Sequence, residues 1–213
     1  MHVKICGITT VEDALVCVNA GATALGLNFV PSSPRAISWE VARTIAASVS
    51  GRILVVGVVA NMTLEGMRAL RADVPLGCLQ LHGDEPPEAL AALLPHAYKA
   101  FRVENAGDVD EAERFPGDYV LVDAKVAGAL GGTGHRVDAK LVRGLAQRRK
   151  LTLAGGLTAD NVAEAIRDVQ PYCVDVASGV ESSPGKKDAA KVIAFVRAAR
   201  DSFERLADSR SRV

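Results

Sequence analysis

The most constraining feature of the chain is an alternation of two hydrophobic periods. Short apolar or β-branched runs alternate about eight times with segments whose apolar residues recur at helical spacing. Units of this kind build parallel sheets, because a parallel strand needs a long crossover from its predecessor. The 213 residues lie near the lower end for a closed (β/α)8 barrel, the TIM-barrel fold, whose members start at about 200 residues. We therefore expect an α/β protein with this barrel as its single domain.

The pattern places each element to within a few residues. The expected strands are Val3–Cys6, Ala24–Phe29, Arg52–Val59, Leu76–Leu81, Ala97–Phe101, Tyr119–Val122, Leu151–Ala154 and Cys173–Val176. The expected helices are Thr10–Ala20, Ser38–Ser48, Thr63–Ala72, Pro86–Leu94, Asn105–Arg114, Asp138–Gln147, Thr158–Val169 and Lys187–Arg205. A doubly wound open sheet is the competing architecture, but no G-x-G-x-x-G pattern follows the first strand.

Composition narrows the possible partners and the cellular location. Hydrophobic residues make up 49% of the chain, which excludes disorder and allows a substantial core. Lys and Arg number 25, as do Asp and Glu, so no basic excess favours nucleic acid or an anionic membrane. No apolar run reaches the roughly 18 residues of a membrane helix, and the N-terminus does not have the pattern of a signal peptide, so we expect a cytoplasmic protein. Residues 1–205 are expected to form the barrel domain and residues 206–213 a frayed polar tail.

Three of the expected strand-to-helix loops are longer than the others. They are Val30–Ile37, Ala124–Val137 and Ser178–Lys186. In a barrel, loops that follow strands lie at the carboxyl-terminal face, where active sites of this fold are built. We therefore expect a binding site on this face.

Two strands deliver reactive side chains to that face. The first strand ends at Cys6, and the sixth is followed by Asp123. Such positions point toward a ligand, although a lone cysteine is often a small core residue and an aspartate often caps a helix. The other cysteines, Cys17, Cys78 and Cys173, are scattered without the spacing of a zinc site or a disulfide framework. We expect no metal.

Glycines after the seventh and eighth strands indicate a phosphate site. Gly155-Gly156 follows the seventh strand, and Ser178-Gly179 follows the eighth. Barrels often hold a phosphate between these two loops, where bare backbone amides point at the anion. After the second strand, Arg35 offers a planar fork of donors suited to a carboxylate, with a solvated surface arginine as the alternative.

Strand alternation predicts a buried ion pair. If Cys6 points into the barrel then Lys4 does too, and a buried ammonium needs a carboxylate. Asp175 is the natural partner, because the first and eighth strands are neighbours when a barrel closes. We expect the two charges within about 6 Å of each other, as a polar pair below the site. Asp175 could instead contact a hydroxyl of the ligand.

Several of these motifs occur together in a known family. In order, they are Lys4–Thr9, Ser33–Arg35, Gln80–Gly83, Leu121–Asp123 with Gly131–Gly134, Ala154–Leu157 and Ser178–Glu181. The sequence resembles phosphoribosylanthranilate isomerases, metal-free and cofactor-free barrel enzymes of tryptophan biosynthesis. The resemblance runs from Lys4 to about Arg200 and implies an Amadori rearrangement of N-(5-phosphoribosyl)anthranilate. It implies a small phosphorylated substrate, no cofactor, and a monomer or homodimer.

The resemblance also assigns roles to residues. It implies that Cys6 is the general base, Asp123 the general acid, and Arg35 the partner of the anthranilate carboxylate. The glycine loops would hold the phosphate, while His82 and Gln80 belong to a motif whose individual roles are less defined. Asn28 departs from the expected apolar residue, and His135–Val137 from an expected aromatic end of the loop.

Acid–base chemistry sets a requirement on the two catalytic groups. Near pH 7 an ordinary aspartate is ionised and an ordinary cysteine is protonated, which is the reverse of what an acid and a base need. We expect burial and the anionic substrate to favour a protonated Asp123, and Lys4 or a local positive potential to favour the Cys6 thiolate. The alternatives are a metal-dependent phosphosugar epimerase, an isomerase shared between two pathways, and a non-catalytic sensor of phosphorylated metabolites.

Overall fold

The computed structural model describes residues 2–123 and 139–211. Eight parallel strands pair in chain order, and the first closes onto the eighth. The strands are β1 (His2–Cys6), β2 (Ala24–Asn28), β3 (Leu54–Val59), β4 (Cys78–Leu81), β5 (Ala97–Arg102), β6 (Tyr119–Asp123), β7 (Lys150–Ala154) and β8 (Cys173–Val176). The predicted closed (β/α)8 barrel is confirmed.

Eight helices surround the strands. They are α1 (Val11–Ala20), α2 (Trp39–Ser48), α3 (Leu64–Asp73), α4 (Pro87–Ala91), α5 (Ala106–Arg114), α6 (Ala139–Arg148), α7 (Val162–Val169) and α8 (Ala189–Ser211). A short antiparallel hairpin, β9 (Glu181–Ser183) with β10 (Lys186–Lys187), follows a turn of 3-10 helix at Ser178–Val180. The predicted loop Ala124–Val137 lies outside the described residues.

The strands divide their side chains between two regions, as the period of two requires. In β1, Val3 and Ile5 belong to the large apolar core that includes residues of the helices. Lys4 and Cys6, on the opposite face, line cavities at the two ends of the barrel interior. The alternation inferred from the sequence is therefore present in β1.

The predicted start of α7 differs from the structure, whereas those of α1 and α2 agree with it to within one residue. The Thr10 and Ser38 side chains cap α1 and α2 by accepting from the backbone N–H groups of Asp13 and Val41, close to the predicted starts of these helices. Thr158, however, does not begin α7, which starts at Val162. The reason is that Asn161 bonds the backbone N–H of Thr158 at 2.8 Å and the carbonyl of Gly156 at 3.0 Å, so residues 158–161 form a turn.

The final helix also differs from its predicted bounds. It was expected over Lys187–Arg205, but Lys187 lies in β10 and the helix runs from Ala189 through Ser211. The start moves because the ammonium of Lys187 is drawn into a buried ion pair with Glu181. The helix continues into the expected tail because Leu206 still packs against the core. Within the described residues, the helices include none with the length and apolar character needed to cross a membrane.

The packing of α8 generates a stability prediction. Phe195 is fully buried, whereas Ile193 on the same helix is 54% exposed. Phe195→Ala is expected to lower the free energy of unfolding by about 3–5 kcal/mol, because it removes buried apolar surface and leaves a cavity. Ile193→Ala is the control and should change it by less than about 1 kcal/mol. Urea denaturation measures both, and similar losses would contradict the packing described.

Candidate active site

A cavity of about 280 Å³ opens at the carboxyl-terminal ends of the strands. Its walls come from β1, β2, β3, β4, β6, β7 and β8 and from several of the loops that follow them. Of the site residues predicted from the sequence, those that line it are Cys6, Arg35, His82, Asp123, Gly155, Gly156, Asp175, Ser178 and Gly179. Lys4 lies one layer below. The fold therefore brings together groups spread over most of the chain.

Lys4 and Asp175 form the predicted ion pair at the floor of the cavity. Lys4 Nζ donates to Asp175 Oδ2 at 2.9 Å, and both side chains are buried. Burial would lower the pKa of Lys4, but the charge and hydrogen bond of Asp175, together with the nearby Cys6 and Tyr98, outweigh burial and raise that pKa well above its ordinary value. Asp175 Oδ1 is buried without a hydrogen-bond partner in the described part of the chain. One acceptor in the wall of the cavity is thus left for a ligand.

The protonation state of Cys6 is set by burial and by nearby charges. Burial raises the pKa of the Cys6 thiol above its ordinary value of 9.0, and this effect exceeds the opposing one of Lys4. The Asp175 carboxylate adds to the effect of burial, and it also raises the pKa of Cys6. Lys4 does favour the thiolate, as expected, but burial outweighs it, so the thiol is protonated at neutral pH.

His82 is oriented by a chain of hydrogen bonds. Buried Gln80 accepts from the Tyr98 hydroxyl at 3.0 Å through its Oε1, and its Nε2 lies 2.8 Å from Nδ1 of His82. An amide NH₂ can only donate, so Nδ1 accepts and the ring proton is on Nε2. Partial desolvation by the surrounding protein lowers the pKa of His82. A neutral imidazole whose Nε2–H can donate therefore lies at the cavity, close to Asp123 of β6 and Asp175 of β8.

Arg35 has a partner that sequence reasoning missed. Its Nε and Nη2 donate to Oε1 and Oε2 of Glu181, each at 2.7 Å. Glu181 was visible only as the last residue of a motif, and nothing in the local sequence marked it as a ligand of Arg35. The guanidinium still lines the cavity, so the structure places it where a substrate carboxylate could bind.

The loops after β7 and β8 require glycine. Gly155 and Gly156 have φ values of 105° and 65°, a region that side chains other than glycine rarely adopt. A Cβ on Gly179 would lie 1.9 Å from the carbonyl oxygen of Leu157, so the two loops touch backbone to backbone. Together with the exposed Ser178, they present a wall of the cavity without bulky side chains.

The polar Asn28 also has a structural explanation. Its Oδ1 accepts from the backbone N–H of Val30 at 2.8 Å, which stabilises the turn where β2 ends. The side chain lines the cavity at the same time. Over residues 2–123 and 139–211, no group of three or more His, Cys, Asp or Glu side chains is arranged to hold a metal ion.

Barrel and cavity together define a class of protein. A (β/α)8 barrel with a thiol, a carboxyl group and glycine-rich loops around one polar cavity is the framework of a small-molecule enzyme. The family model for N-(5'-phosphoribosyl)anthranilate (PRA) isomerase matches residues 3–198. The chain belongs to this isomerase family.

Individual relatives agree with the family model. A phosphoribosylanthranilate isomerase of Neisseria gonorrhoeae is 46% identical over 202 residues, which cover 93% of this chain and 96% of the relative. The crystal structure of the Thermotoga maritima isomerase has a TM-score of 0.85 at 40% identity and covers 94% of this chain and 99% of that chain. Another structure with a TM-score of 0.84 and 37% identity, over the same shares, is a complex with reduced 1-(o-carboxyphenylamino)-1-deoxyribulose 5-phosphate.

The raised pKa of Cys6 leads to a pH prediction. Because the thiolate is the form that reacts, alkylation of Cys6 by iodoacetamide should accelerate as pH rises, with a midpoint above the ordinary value of 9.0. Peptide mass spectrometry at each pH measures the rate, and circular dichroism checks that the protein stays folded. Cys78, where burial raises the pKa to about 11, is the internal comparison. A midpoint below 9.0 for Cys6 would show that the cavity stabilises the thiolate.

Proposed function

We propose that the protein converts N-(5-phosphoribosyl)anthranilate into 1-(2-carboxyphenylamino)-1-deoxyribulose 5-phosphate. The observation that carries the proposal is that Cys6 and Asp123, each at the carboxyl end of its strand, line the same cavity. One supplies a candidate base and the other a candidate acid. Family membership and the product-analogue complex of a relative agree with this reaction.

The two ends of the substrate are anions, and the cavity offers a separate contact for each. Backbone amides of the loops holding Gly155, Gly156, Ser178 and Gly179 suit the phosphate. Arg35 suits the carboxylate of the anthranilate ring. Binding energy at these non-reacting ends would orient the ribose between the catalytic groups.

The chemistry starts with opening of the ribose ring. Asp123 donates a proton to the ring oxygen as the bond to C1′ breaks, leaving an iminium between C1′ and the nitrogen. Cys6 as thiolate then removes the proton from C2′, giving an enolamine that tautomerises to the aminoketone product. The iminium is positively charged, so its formation beside Cys6 would favour the thiolate that the ligand-free cavity disfavours.

Two further groups suit the sugar hydroxyls. The unpartnered Oδ1 of Asp175 can accept from a hydroxyl, and the Nε2–H of His82 can donate to a ribose oxygen. Both side chains line the cavity. In this proposal they position the sugar, and neither a metal nor a cofactor takes part.

Substitution of the catalytic pair tests the proposal. Cys6→Ser and Asp123→Asn should each lower kcat by about 10²–10⁴-fold, since one replaces the base by a far weaker one and the other removes the acidic proton. The assay follows the loss of fluorescence as phosphoribosylanthranilate is consumed. Cys78→Ser, a strand cysteine that does not line this cavity, is the control and should retain activity. Persistent fluorescence with the wild-type protein would instead favour a binding module.

We further infer a monomer or homodimer that acts in the cytoplasm without a nucleic-acid partner. The equal numbers of acidic and basic residues, 25 of each, support the last point. A relative from Thermotoga maritima is dimeric, and its structure was also determined as engineered monomers. Light scattering of the purified chain should give one or two times 22.3 kDa, and a larger assembly would contradict the inference.

A further inference from the structure

A buried network of charges connects Arg35 to the backbone of the catalytic cysteine. Glu181, which accepts both donors from Arg35, also accepts from Lys187 Nζ at 2.9 Å. The same ammonium donates to the carbonyl oxygen of Cys6 at 2.6 Å and to that of Ala177 at 3.3 Å. The mechanism proposed above uses neither Glu181 nor Lys187.

Burial makes this network rigid. The side chain of Lys187 is 0% exposed and that of Glu181 is 5% exposed, so water does not compete for their hydrogen bonds. Burial would raise the pKa of Glu181, but the bonds from Arg35 and Lys187 outweigh it and lower that pKa. The carboxylate is therefore charged at neutral pH and bound on both oxygens.

The stem of Arg35 is held against the same stretch of backbone. A Cβ on Gly7, the residue after Cys6, would lie 2.3 Å from Cδ of Arg35. Gly7 also has a φ of 76°, so glycine is required there for both conformation and space. The arginine thus crosses directly over the chain that carries the thiol.

The β9–β10 hairpin that holds Glu181 and Lys187 is itself bonded to the loop after β1 and to the first turn of α1. Thr9 Oγ1 donates to the carbonyl of Gly185 at 2.5 Å, and the backbone N–H of Lys187 donates to Asp13 at 3.1 Å. Gly179 of the phosphate loop lies just before this hairpin in sequence. The hairpin therefore joins the loops proposed to bind the carboxylate and the phosphate to the end of β1.

The donors of Arg35 can be divided between two carboxylates. A guanidinium has five N–H groups, and Glu181 occupies the edge formed by Nε and one side of Nη2. The other edge, formed by Nη1 and the second N–H of Nη2, is suited to a second carboxylate. The network has two cations for one anion, so a positive charge is left for the substrate.

We propose that Glu181 and Lys187 are positioning residues that fix the guanidinium of Arg35 relative to Cys6. Anchoring of the substrate carboxylate then sets the distance between C2′ and the sulfur, so recognition and proton transfer are coupled. This role rests on the proposed function, because it requires the carboxylate of the substrate to bind Arg35. Neither residue is expected to touch the reacting atoms.

A double-mutant cycle tests the coupling. Glu181→Gln keeps the shape of the side chain but removes its charge, and should raise KM about tenfold and also lower kcat, because the substrate is no longer held at the distance from Cys6 that proton transfer needs. Arg35→Ala should raise KM about 100-fold. The double variant should match Arg35→Ala within about twofold, because Glu181 acts only through the arginine. A rise in KM of the double variant equal to the product of the two single rises would overturn the proposal. Such independent effects are expected if Glu181 has a merely structural role, which does not depend on Arg35.

A second cycle covers the case in which Glu181→Gln does not fold. Lys187→Met leaves the Arg35–Glu181 fork in place but detaches it from the Cys6 carbonyl, and its effect on KM should likewise vanish in the Arg35→Ala background. Glu85→Gln is the matched control, because Glu85 is a buried carboxylate paired with Lys99 at 3.4 Å outside this network. Its KM should stay within about twofold of wild type even if its melting temperature falls.

Different results would contradict the proposed function and the positioning role of Glu181 and Lys187. Absence of turnover in the wild-type protein would overturn the proposed function and, with it, the coupling. Turnover in the wild type with additive losses in both cycles would overturn the coupling alone. A rise in KM for Glu85→Gln as large as that for Glu181→Gln would show that loss of any buried carboxylate has this effect, which also contradicts a specific role.

Discussion

The ion pair between Lys4 and Asp175 is the interaction on which the site depends. It joins β1 to β8, the two strands that close the barrel, with 2.9 Å between Nζ and Oδ2. Removing either partner would leave a buried charge uncompensated, which costs about 3–5 kcal/mol in proteins. The pair fixes the floor of the cavity and leaves one oxygen of Asp175 unpartnered among the described residues. Burial is the main cause of the raised pKa of Cys6, and Asp175 adds to it by opposing the effect of Lys4.

Above that floor, the site separates the tasks of binding and chemistry. Anion recognition falls to loops, with glycine backbone after β7 and β8 and Arg35 after β2. The candidate base and acid are instead the terminal residues of strands, whose positions the barrel fixes. In this fold, reactive groups usually lie at the rigid ends of strands, whereas binding groups usually lie on loops that can adapt to the ligand. The β9–β10 hairpin links the two sets through Glu181 and Lys187.

Much of this arrangement could be predicted from local patterns. Hydrophobic period identified all eight strands to within a few residues, and period-two alternation together with barrel closure predicted the pairing of Lys4 with Asp175. The predicted bounds of helices were wrong where a side chain forms a hydrogen bond or ion pair with residues outside its own helix or strand. The Asn161 side chain bonds to the backbone of Thr158, so residues 158–161 form a turn and not the start of a helix. The buried ion pair of Lys187 with Glu181 places Lys187 in the hairpin and not in α8. The raised pKa of Cys6 could not be read from local sequence either, because desolvation depends on everything packed around the sulfur.

The sequence by itself determined the barrel, the ends of the strands that carry Cys6 and Asp123, and the glycines of the two loops. These features follow from the spacing of hydrophobic residues and from local backbone conformation, both of which can be recognised in the sequence alone. Only the tertiary structure decided the contacts of Arg35, Glu181 and Lys187. Arg35 and Glu181 are separated by 146 residues, and Lys187 and Cys6 by 181, and no periodicity connects them. Their contacts exist because closure of the barrel brings the ends of distant strands to one rim, where desolvated charges must pair.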